Sequence, residues 1–495
     1  MAQKLISISD PNLIQSGIVK SLHKLQVPLW VDGQNVIFED GSVRKSPGFI
    51  AIFTALGTNP IIGIQDVLVQ NTPNLLFGDI EALYRWDGTS LTTEATGFTG
   101  SLSRAAFQSS AFASNAFQVT GNLLSSLWSM TNFGTWALAS NGIDPIQIDK
   151  MLGAGAVALS GTPPTYAAVI IHYINYIIAF NTDLGGEFAE WCDTDNPEDW
   201  VNGAAGFLPI RDLDSVIVAV ASLGTSIAVY GNNSLALFQY IGPPFYFGAK
   251  KVLEGIGSVG KFAVVSREGL NYGLSKQGFW RTDGSGYDYI SPPFLRKWLE
   301  DHVNWGQAFK VAGFLNEDRS LIEWGISIDG ASEPNVTVCY NFDSKTWTFR
   351  NYGITSAVKK GVFTLPVFGD KDGKVYYGEY GFNADTSALD AWAQTRPLPG
   401  DNHLAWKDIE FFISYMTVVS GNVSIEIGVQ ENLDDEITWS NPITLNEDSN
   451  PQYSDTGGSL GAGRYISLKI RSTGLEDDWR IAGFDIYGAE TGSEI

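Results

Sequence analysis

A glycine-rich segment is the part of this sequence that comes closest to a known chemical motif. Residues 255–262 read Gly-Ile-Gly-Ser-Val-Gly-Lys-Phe, which fits GxGxxG and nearly fits the GxxxxGK[ST] pattern of phosphate-binding loops. Such a loop binds phosphate when it opens a helix, because free backbone N–H groups then face the anion. Here a β-branched run follows, and Phe262 replaces the hydroxyl that would hold Mg²⁺. The pattern therefore favours a turn between strands over a nucleotide site.

Carboxylates and tryptophans offer two other kinds of chemistry. Residues 434–436 and 476–478 are acidic runs with the oxygen ligands that Ca²⁺ prefers, but such runs are commonly solvated loops. Glycosidases need two carboxylates across a sugar bond, and with 54 acidic residues no single pair stands out. Tryptophans can stack on sugars, although we expect these to fill hydrophobic cores: Trp191, Trp200, Trp298, Trp305, Trp439 and Trp479.

Nucleophilic and metal chemistry have few candidate residues. Cys192, Cys339 and four scattered histidines provide neither a zinc-ligand spacing nor a disulfide framework. The His-Glu-x-x-His pattern and the EF-hand loop do not occur. We therefore predict no catalytic, cofactor-binding or metal-binding residues, no cofactor, and a protein that is not an enzyme.

The charge of the chain limits its partners. Its 495 residues include 54 acidic and 31 basic side chains, a formal net charge of −23. Tight wrapping of nucleic acid needs clustered Lys and Arg, whereas an acidic channel wall would let a DNA duplex slide without sticking. The balance is uneven, because residues 401–495 sum to −12 and residues 201–300 to +2. The acidic end of the chain is therefore chemically distinct from its middle.

Targeting signals and membrane spans are not expected. The first ten residues lack the apolar core of a signal peptide. The longest apolar stretch, residues 166–180, falls short of the ~20 residues of a membrane span, and we interpret it as two successive buried strands. We expect a soluble protein that folds in the reducing host cytoplasm.

The apolar pattern predicts an all-β protein. Short apolar runs bounded by Gly, Asn, Asp or Pro recur along the chain, and residues 294–302 are the best helix candidate. Aromatic strands with Asp/Gly or Asp/Ser turns recur roughly every 40 to 60 residues, the spacing of four-stranded propeller blades. These repeats lie near Trp86, Trp280, Trp347 and Tyr377. We predict a β-propeller of six or seven blades, with a set of unrelated sandwiches as the alternative.

The composition and apolar pattern of the sequence divide the chain into three parts. Residues 1–54 are expected to lead into the propeller and to close it, and residues 55–398 to form it. After residue 398, alternating apolar and polar residues are joined by acidic loops, which predicts an additional C-terminal antiparallel β-sandwich over residues 399–495.

One insertion, near residues 100–122, interrupts the predicted second blade. Phe107, Phe112 and Phe117 recur there every five residues, a period that neither a strand nor an α-helix keeps on one face. One interpretation is an exposed loop whose Phe side chains line a channel or touch a partner. The alternative is an irregular strand pair that packs the Phe side chains inward.

The opening of the chain carries the most specific pattern. Residues 28–49 contain an Asn-Val pair followed by Gly-Ser-Val-Arg-Lys-Ser-Pro-Gly. This segment resembles the start of tail nozzle proteins (tail tubular protein B, or packaged-DNA stabilisation type) of short-tailed bacteriophages. Further stretches are similar to the same family: residues 190–200, 234–248, 255–257, 463–470 and 479–486.

The resemblance implies a structural virion protein. Members of this family form a ring, usually of six copies, that extends the DNA ejection channel below the head-to-tail adaptor and docks fibres or spikes. The implied partners are further copies of the chain, the adaptor protein, a tail fibre or spike protein, and viral double-stranded DNA in transient, non-specific passage. The implied location is the virion tail. The alternative is a glycan-binding or glycan-cleaving propeller that acts as a receptor-binding tail protein, and a propeller scaffold outside any virus is a third hypothesis.

Overall fold

The computed structural model describes residues 3–20, 26–53, 56–98, 127–448, 453–455 and 459–493. Within these residues the chain consists mainly of short antiparallel strands, which confirms the all-β prediction. None of the helices in the described ranges is long and apolar enough to cross a membrane.

Five strands and one short helix precede residue 53. They are β1 (Gln3–Ile8), α1 (Pro11–Ile14), β2 (Trp30–Gln34), β3 (Val36–Glu39), β4 (Ser42–Lys45) and β5 (Phe49–Ala51). These strands pair with partners far along the chain, as the later sheets show.

Four sheets follow, each made of four consecutive antiparallel strands. Sheet 1 contains β6 (Gly63–Val69), β7 (Thr72–Gly78), β8 (Ala82–Trp86) and β9 (Leu91–Thr96). Sheet 2 contains β10 (Ser129–Phe133), β11 (Trp136–Ser140), β12 (Gln147–Asp149) and β13 (Val157–Ala158). Sheet 3 contains β14 (Ala167–Tyr173), β15 (Tyr176–Thr182), β16 (Gly185–Trp191) and β17 (Gly206–Pro209). Sheet 4 contains β18 (Ala219–Leu223), β19 (Ser226–Tyr230), β20 (Ser234–Gly242) and β21 (Tyr246–Glu254).

Sheets 5 and 6 continue this pattern, with helical segments between them, and sheet 7 has six strands. Sheet 5 contains β22 (Val264–Arg267), β23 (Leu270–Ser275), β24 (Gly278–Thr282) and β25 (Tyr287–Tyr289), and helix α2 (Pro293–His302) and a 3₁₀ turn (Trp305–Lys310) follow. Sheet 6 contains β26 (Ala312–Asn316), β27 (Leu321–Ile326), β28 (Val336–Asn341) and β29 (Trp347–Arg350), with a 3₁₀ turn (Glu317–Arg319) after β26. Sheet 7 contains β30 (Ser356–Val358), β31 (Val367–Gly369), β32 (Val375–Gly378), β33 (Asn383–Ala384), β34 (Ser387–Ala388) and the N-terminal β5, and β33 pairs parallel to β5.

Tight turns between strands explain why neighbours in sequence pair. Gln70 and Asn71 join β6 to β7 with φ of 48° and 65°, and Glu268 and Gly269 join β22 to β23 with φ of 46° and 78°. Two consecutive positive φ angles match the right-handed twist of a hairpin. The second strands are largely buried, and every residue of β15, β19 and β27 is buried.

The first strands of sheets 1 to 7 contact one another in succession. Strand β6 contacts β10, and the series continues through β14, β18, β22 and β26 to β30, which in turn contacts β6. At the other side of sheet 7, β5 pairs antiparallel with β32, with Ile50 opposite Tyr377. The N-terminal segment thus completes a sheet whose other strands lie more than 300 residues later in the chain.

The remaining strands build sheets 8 and 9. They are β35 (Ala391–Thr395), β36 (Ala405–Ser420), β37 (Asn422–Gln430), β38 (Thr438–Trp439), β39 (Ile443–Asn446), β40 (Tyr453–Asp455), β41 (Gly461–Gly463), β42 (Tyr465–Ser472) and β43 (Asp478–Ser493). Sheet 8 combines β1, β3 and β4 with β36, β40, β41 and β43, and sheet 9 combines β2 with β35, β42, β37, β38 and β39. Strands β1 to β4 are therefore built into the same two sheets as strands β35 to β43.

Sheets 8 and 9 are joined to the rest of the molecule through a continuous core. Trp479 and Trp30 from these sheets belong to the same buried cluster as Trp324 of sheet 6. Strand β2 contacts β29, and the backbone N–H of Ile18 donates to the carbonyl of Trp347 at 2.9 Å. Burial of large aromatic side chains across this boundary stabilises one arrangement of the two parts.

Candidate functional site at the centre of the seven sheets

A cavity of about 320 Å³ lies where first strands of sheets 1, 2, 5, 6 and 7 meet. The Ser266 hydroxyl in its wall donates to the carbonyl of Ser222 at 2.8 Å, so it is already engaged with backbone. Large apolar side chains line much of the rest: Ile64, Met130, Phe262, Phe314 and Leu315. The cavity wall is therefore mixed, because polar residues such as Gln65, Ser356 and Lys359 line it as well.

Lys261 crosses the centre of the molecule. Its side chain leaves the segment before β22, and its Nζ donates to the carbonyls of Leu127 at 2.7 Å and Ala168 at 2.8 Å. Those carbonyls lie just before β10 and within β14, so one amine links sheet 5 to sheets 2 and 3. Lys261 is buried, and this desolvation lowers the pKa of its amine to about 7.

Trp128 fills the space beside Lys261. Its indole N–H donates to the carbonyl of Asp79 at 2.7 Å, and its side chain lies against the backbone of Gly63 and Gly78. A Cβ at Gly63 would come within 2.4 Å of the Trp128 Cβ, and one at Gly78 would come within 2.7 Å of the indole, so glycine at both positions leaves room for Trp128. Trp128 thus forms part of the wall of the central cavity.

The glycine-rich segment 255–262 connects β21 to β22 and opens no helix. A Cβ at Gly257 would lie 2.2 Å from the backbone of Asn232, and one at Gly260 would lie 2.5 Å from the carbonyl oxygen of Phe309. These glycines therefore permit close backbone packing. Because the amine of Lys261 is bound to two carbonyls, it is not placed to contact a phosphate.

The N-terminal pattern, residues 28–49, forms the junction between sheets 7, 8 and 9. The Asn35 amide donates to the carbonyl of Asp390 at 2.7 Å and to the side chain of Asn351 at 2.8 Å. A Cβ at Gly48 would lie 2.0 Å from the carbonyl oxygen of Asn383, a separation no other residue type could accept. Each of these residues therefore has a packing reason at this junction.

The same pattern buries one cation. Lys45 is fully buried, and its amine has no hydrogen-bond partner among the residues that the structure describes. Burial lowers the pKa of this amine, and the nearby carboxylates of Asp477 and Asp478 oppose that effect.

A buried network of charges joins sheet 6 to sheets 7 and 8. Glu323 on β27 lies 3.1 Å from the guanidinium of Arg350, which is 3.4 Å from Glu379 beside sheet 7. Glu379 also pairs with Arg319 at 2.9 Å, and Arg319 lies 3.5 Å from Glu39 on β3. Burial raises the pKa of Glu323, and the positive charge of Arg350 opposes that effect. This network holds sheets together and lines no described cavity.

The other sequence candidates are dispersed. Within the described ranges there is no group of three or more His, Cys, Asp or Glu residues that could hold a metal ion. Asp434, Asp435 and Glu436 are exposed, whereas Asp477 is buried and accepts the backbone N–H groups of Asn422 and Gly474. The second acidic run therefore shapes a turn.

The tryptophans considered as sugar platforms are mostly core residues. Four of them are buried, Trp191, Trp200, Trp298 and Trp479, and two are half-buried, Trp305 and Trp439. The Trp191 indole donates to the carbonyl of Ala204 at 2.8 Å, which fixes it inside sheet 3. These positions agree with the expected core role.

Both cysteines are free and buried. The thiol of Cys192 accepts the N–H of Ile177 at 3.1 Å, and burial raises its pKa to about 11. Burial also raises the pKa of the Cys339 thiol. Since the thiolate is the reactive form, neither thiol is suited to act as a nucleophile.

One serine motif was missed by the sequence reasoning. Residues 457–461 read Gly-Gly-Ser-Leu-Gly, which fits Gly-x-Ser-x-Gly. In a hydrolase this pattern places serine on a turn from a strand into a helix. Here Ser459 is followed by strand β41, and its hydroxyl donates to the carboxylate of Asp408. This setting differs from that of a hydrolase nucleophile.

Phe107, Phe112 and Phe117 lie outside the described residues, so the two interpretations of this segment stand as predictions. The segment connects β9 of sheet 1 to β10 of sheet 2. No protein-family model matches this chain, and no curated protein is significantly similar to it.

Proposed function

We propose that sheets 1 to 7 are the blades of a seven-bladed β-propeller. The continuous series of first-strand contacts, in which β30 returns to β6, supports a closed circle. The pairing of β5 with β32 supports closure at the periphery, because the N-terminal segment then completes the last blade. Closure of this kind leaves few free strand edges and makes a rigid body.

We further propose that the chain is a structural subunit of the tail nozzle of a short-tailed bacteriophage. The observation that carries this proposal is the position of residues 28–49, the segment that resembles the start of nozzle proteins. These residues form β2 to β5, which enter sheets 9, 8 and 7 in turn. The most specific pattern in the sequence therefore coincides with the joint between the two parts of the molecule.

The proposed role is mechanical, and the chain is not an enzyme. The described cysteines are buried, the candidate sugar-stacking tryptophans are mostly in cores, and the described acidic residues form no metal cluster. These observations favour a building block over the alternative glycan-binding or glycan-cleaving propeller.

The DNA channel of such a nozzle would lie between copies of the chain. The central cavity has a volume of only about 320 Å³, and Lys261 reaches from sheet 5 to sheets 2 and 3, so we infer that a duplex has no path along that axis. Identical copies related by a rotation axis close into a ring through heterologous contacts. We propose a ring of six in the virion tail, below the head-to-tail adaptor, with fibres or spikes docked outside. At −23 per copy its bore would let DNA pass with little adhesion.

Electron microscopy of intact virions, with the chain traced into the map, tests this proposal. The expected result is a ring between the adaptor and the tail tip, with the duplex path between copies. Finding the chain on a peripheral fibre would contradict the nozzle role and move the search to glycan binding. Particles assembled without this protein are the matched control, and they should lack the ring while retaining the adaptor.

A further inference from the structure

A cationic groove lies on sheet 5, away from the central cavity. A pocket of about 470 Å³ separates the turn between β23 and β24 from helix α2. Lys276 lines it on the turn, and Arg296 and Lys297 line it on the helix. In a chain with net charge −23, three cations around one groove form a local exception.

The cations of this groove are incompletely neutralised. Lys276 and Arg296 are exposed, and neither forms an ion pair with a carboxylate among the described residues. The Arg296 Nε donates to the carbonyl of Ser291 at 2.9 Å, which fixes the side chain beside the groove. Lys297 is paired with Asp301 at 2.7 Å and with Glu300, which also lines the groove, at 3.7 Å. Lys276 and Arg296 therefore provide the positive charge that the groove keeps available for a partner.

An acidic loop of opposite character lies on sheet 9. Residues 431–437 connect β37 to β38 at one edge of this sheet, and the opposite edge is β2, which contacts β29 of sheet 6. The loop is thus at the sheet edge remote from the strand that packs on the seven-sheet body. Asp434, Asp435 and Glu436 are exposed there, and within the described part of the chain no cation pairs with them.

We propose that the acidic loop 431–437 of one copy docks into the cationic groove of the next copy around the ring. This inference rests on the proposed nozzle function and names the contact that would assemble it. Two different surfaces on each copy are what a heterologous, closed ring requires. Opposite charges at these surfaces would select the partner and fix its register.

Charge reversal on each side provides the test. K276E/R296E makes the groove acidic, and D434K/D435K makes the loop 431–437 neutral overall, because its two remaining carboxylates, Glu431 and Glu436, balance the two new lysines; every substituted side chain is exposed. We expect each variant alone to weaken ring formation about tenfold or more per reversed pair. An equimolar mixture should recover rings in part, with the two variants alternating. The acidic loop of K276E/R296E then meets the unchanged cationic groove of D434K/D435K, and the neutral loop of D434K/D435K is not repelled by the acidic groove. Native mass spectrometry measures the mass of the assemblies and so detects both the loss of rings in each variant and their recovery in the mixture.

K250E/K345E is the matched control, because it changes the net charge equally at two exposed lysines elsewhere. The control should assemble like the wild type, and circular dichroism should show that all variants fold. Raising the salt should weaken wild-type rings, since the Debye length falls from about 10 Å at 0.1 M to about 3 Å at 1 M.

Three results would overturn the inference, and they distinguish failure of this contact from failure of the nozzle proposal. If both variants assemble as well as the wild type, the contact is elsewhere and the nozzle proposal stands. If rings persist but K276E/R296E loses affinity for a fluorescent DNA duplex, the groove binds nucleic acid. If the wild type forms no ring in solution or in virions, the nozzle proposal and this contact fail together.

Discussion

Replacing Lys261 with methionine tests whether the buried amine loses its proton near neutral pH. Burial lowers the pKa of this amine from 10.5 to about 7. In the unfolded chain the same amine keeps its proton up to about pH 10.4. Between these two values the unfolded chain binds more protons than the folded chain. The free energy of unfolding must therefore rise with pH across this window and lose that contribution as the pH falls towards 7.

The size of the effect follows from the difference between the two states. Nearly one proton separates them from pH 7.5 to 9.5, so at 1.36 kcal/mol per unit Lys261 contributes a rise of about 2.5 kcal/mol. Methionine has similar length and does not titrate. It leaves the carbonyls of Leu127 and Ala168 without the amine donor, which costs about 1–3 kcal/mol for each group at every pH. Only the pH-dependent part of the difference in unfolding free energy reports on the protonation of Lys261.

Urea unfolding of the wild type and of Lys261→Met from pH 7.5 to 9.5, monitored by tryptophan fluorescence, measures the pH-dependent part of the difference in unfolding free energy. The free energy of unfolding of the wild type minus that of Lys261→Met should increase with pH, because titrations common to both proteins cancel. Lys250→Met, at an exposed lysine on β21, is the control and should give a flat difference. A flat difference for Lys261 would refute the reasoning, since the two carbonyls would then hold the ammonium form throughout.

Two further substitutions test the buried contacts. Arg350→Met leaves the fully buried Glu323 without the cation 3.1 Å away and should destabilise the fold by about 3–5 kcal/mol. Adding Glu323→Gln should recover part of that loss. A double-mutant cycle, measured by urea unfolding, gives the coupling energy between the two residues, and additive effects would contradict the coupling. Gly48→Ala should lower the thermal midpoint because its Cβ would lie 2.0 Å from Asn383, while Gly57→Ala, with nothing within 4 Å, should not; equal midpoints would contradict the packing argument.

Local features of the fold were predictable from the sequence. Residues 166–180, interpreted as two successive buried strands, lie in β14 and β15, and the best helix candidate, residues 294–302, lies in α2. The aromatic repeats at Trp86 and Trp280 end or occupy β8 and β24, the third strands of sheets 1 and 5. Such features can be predicted because the alternation of apolar residues and the choice of turn residues depend only on a few neighbouring positions in the sequence.

Long-range pairing was not predictable. Strand β1 pairs with β43, and Lys4 lies opposite Tyr487, yet nothing in either segment alone specifies the other. Strand β35 ends at residue 395, before the predicted start of the C-terminal module, and belongs to sheet 9. The alternation of apolar and polar residues that identifies a strand shows which face is buried, but it does not specify which strand pairs with it.

The role of Lys261 shows a second limit. A lysine after Gly-x-x-x-x-Gly suggests a phosphate contact, and the apolar run that follows, residues 262–265, does not show where the lysine side chain lies. Its surroundings come from Leu127 and Ala168, which precede it by 134 and 93 residues. Whether a lysine is exposed or buried here depends on which turns meet at the centre, and this is a property of the complete arrangement of sheets.

The small central cavity and the peripheral charges bear on the same question of where a channel could form. Widening that cavity would expose the buried amine of Lys261 and displace Trp128, and both hold neighbouring sheets together. In the proposed nozzle the channel would therefore form between copies of the chain. The contacts of that proposed ring would have to overcome repulsion between copies of charge −23, which a local pairing of opposite charges would offset. The groove at Lys276 and Arg296 is suited to that need because its charge is opposite to that of the chain.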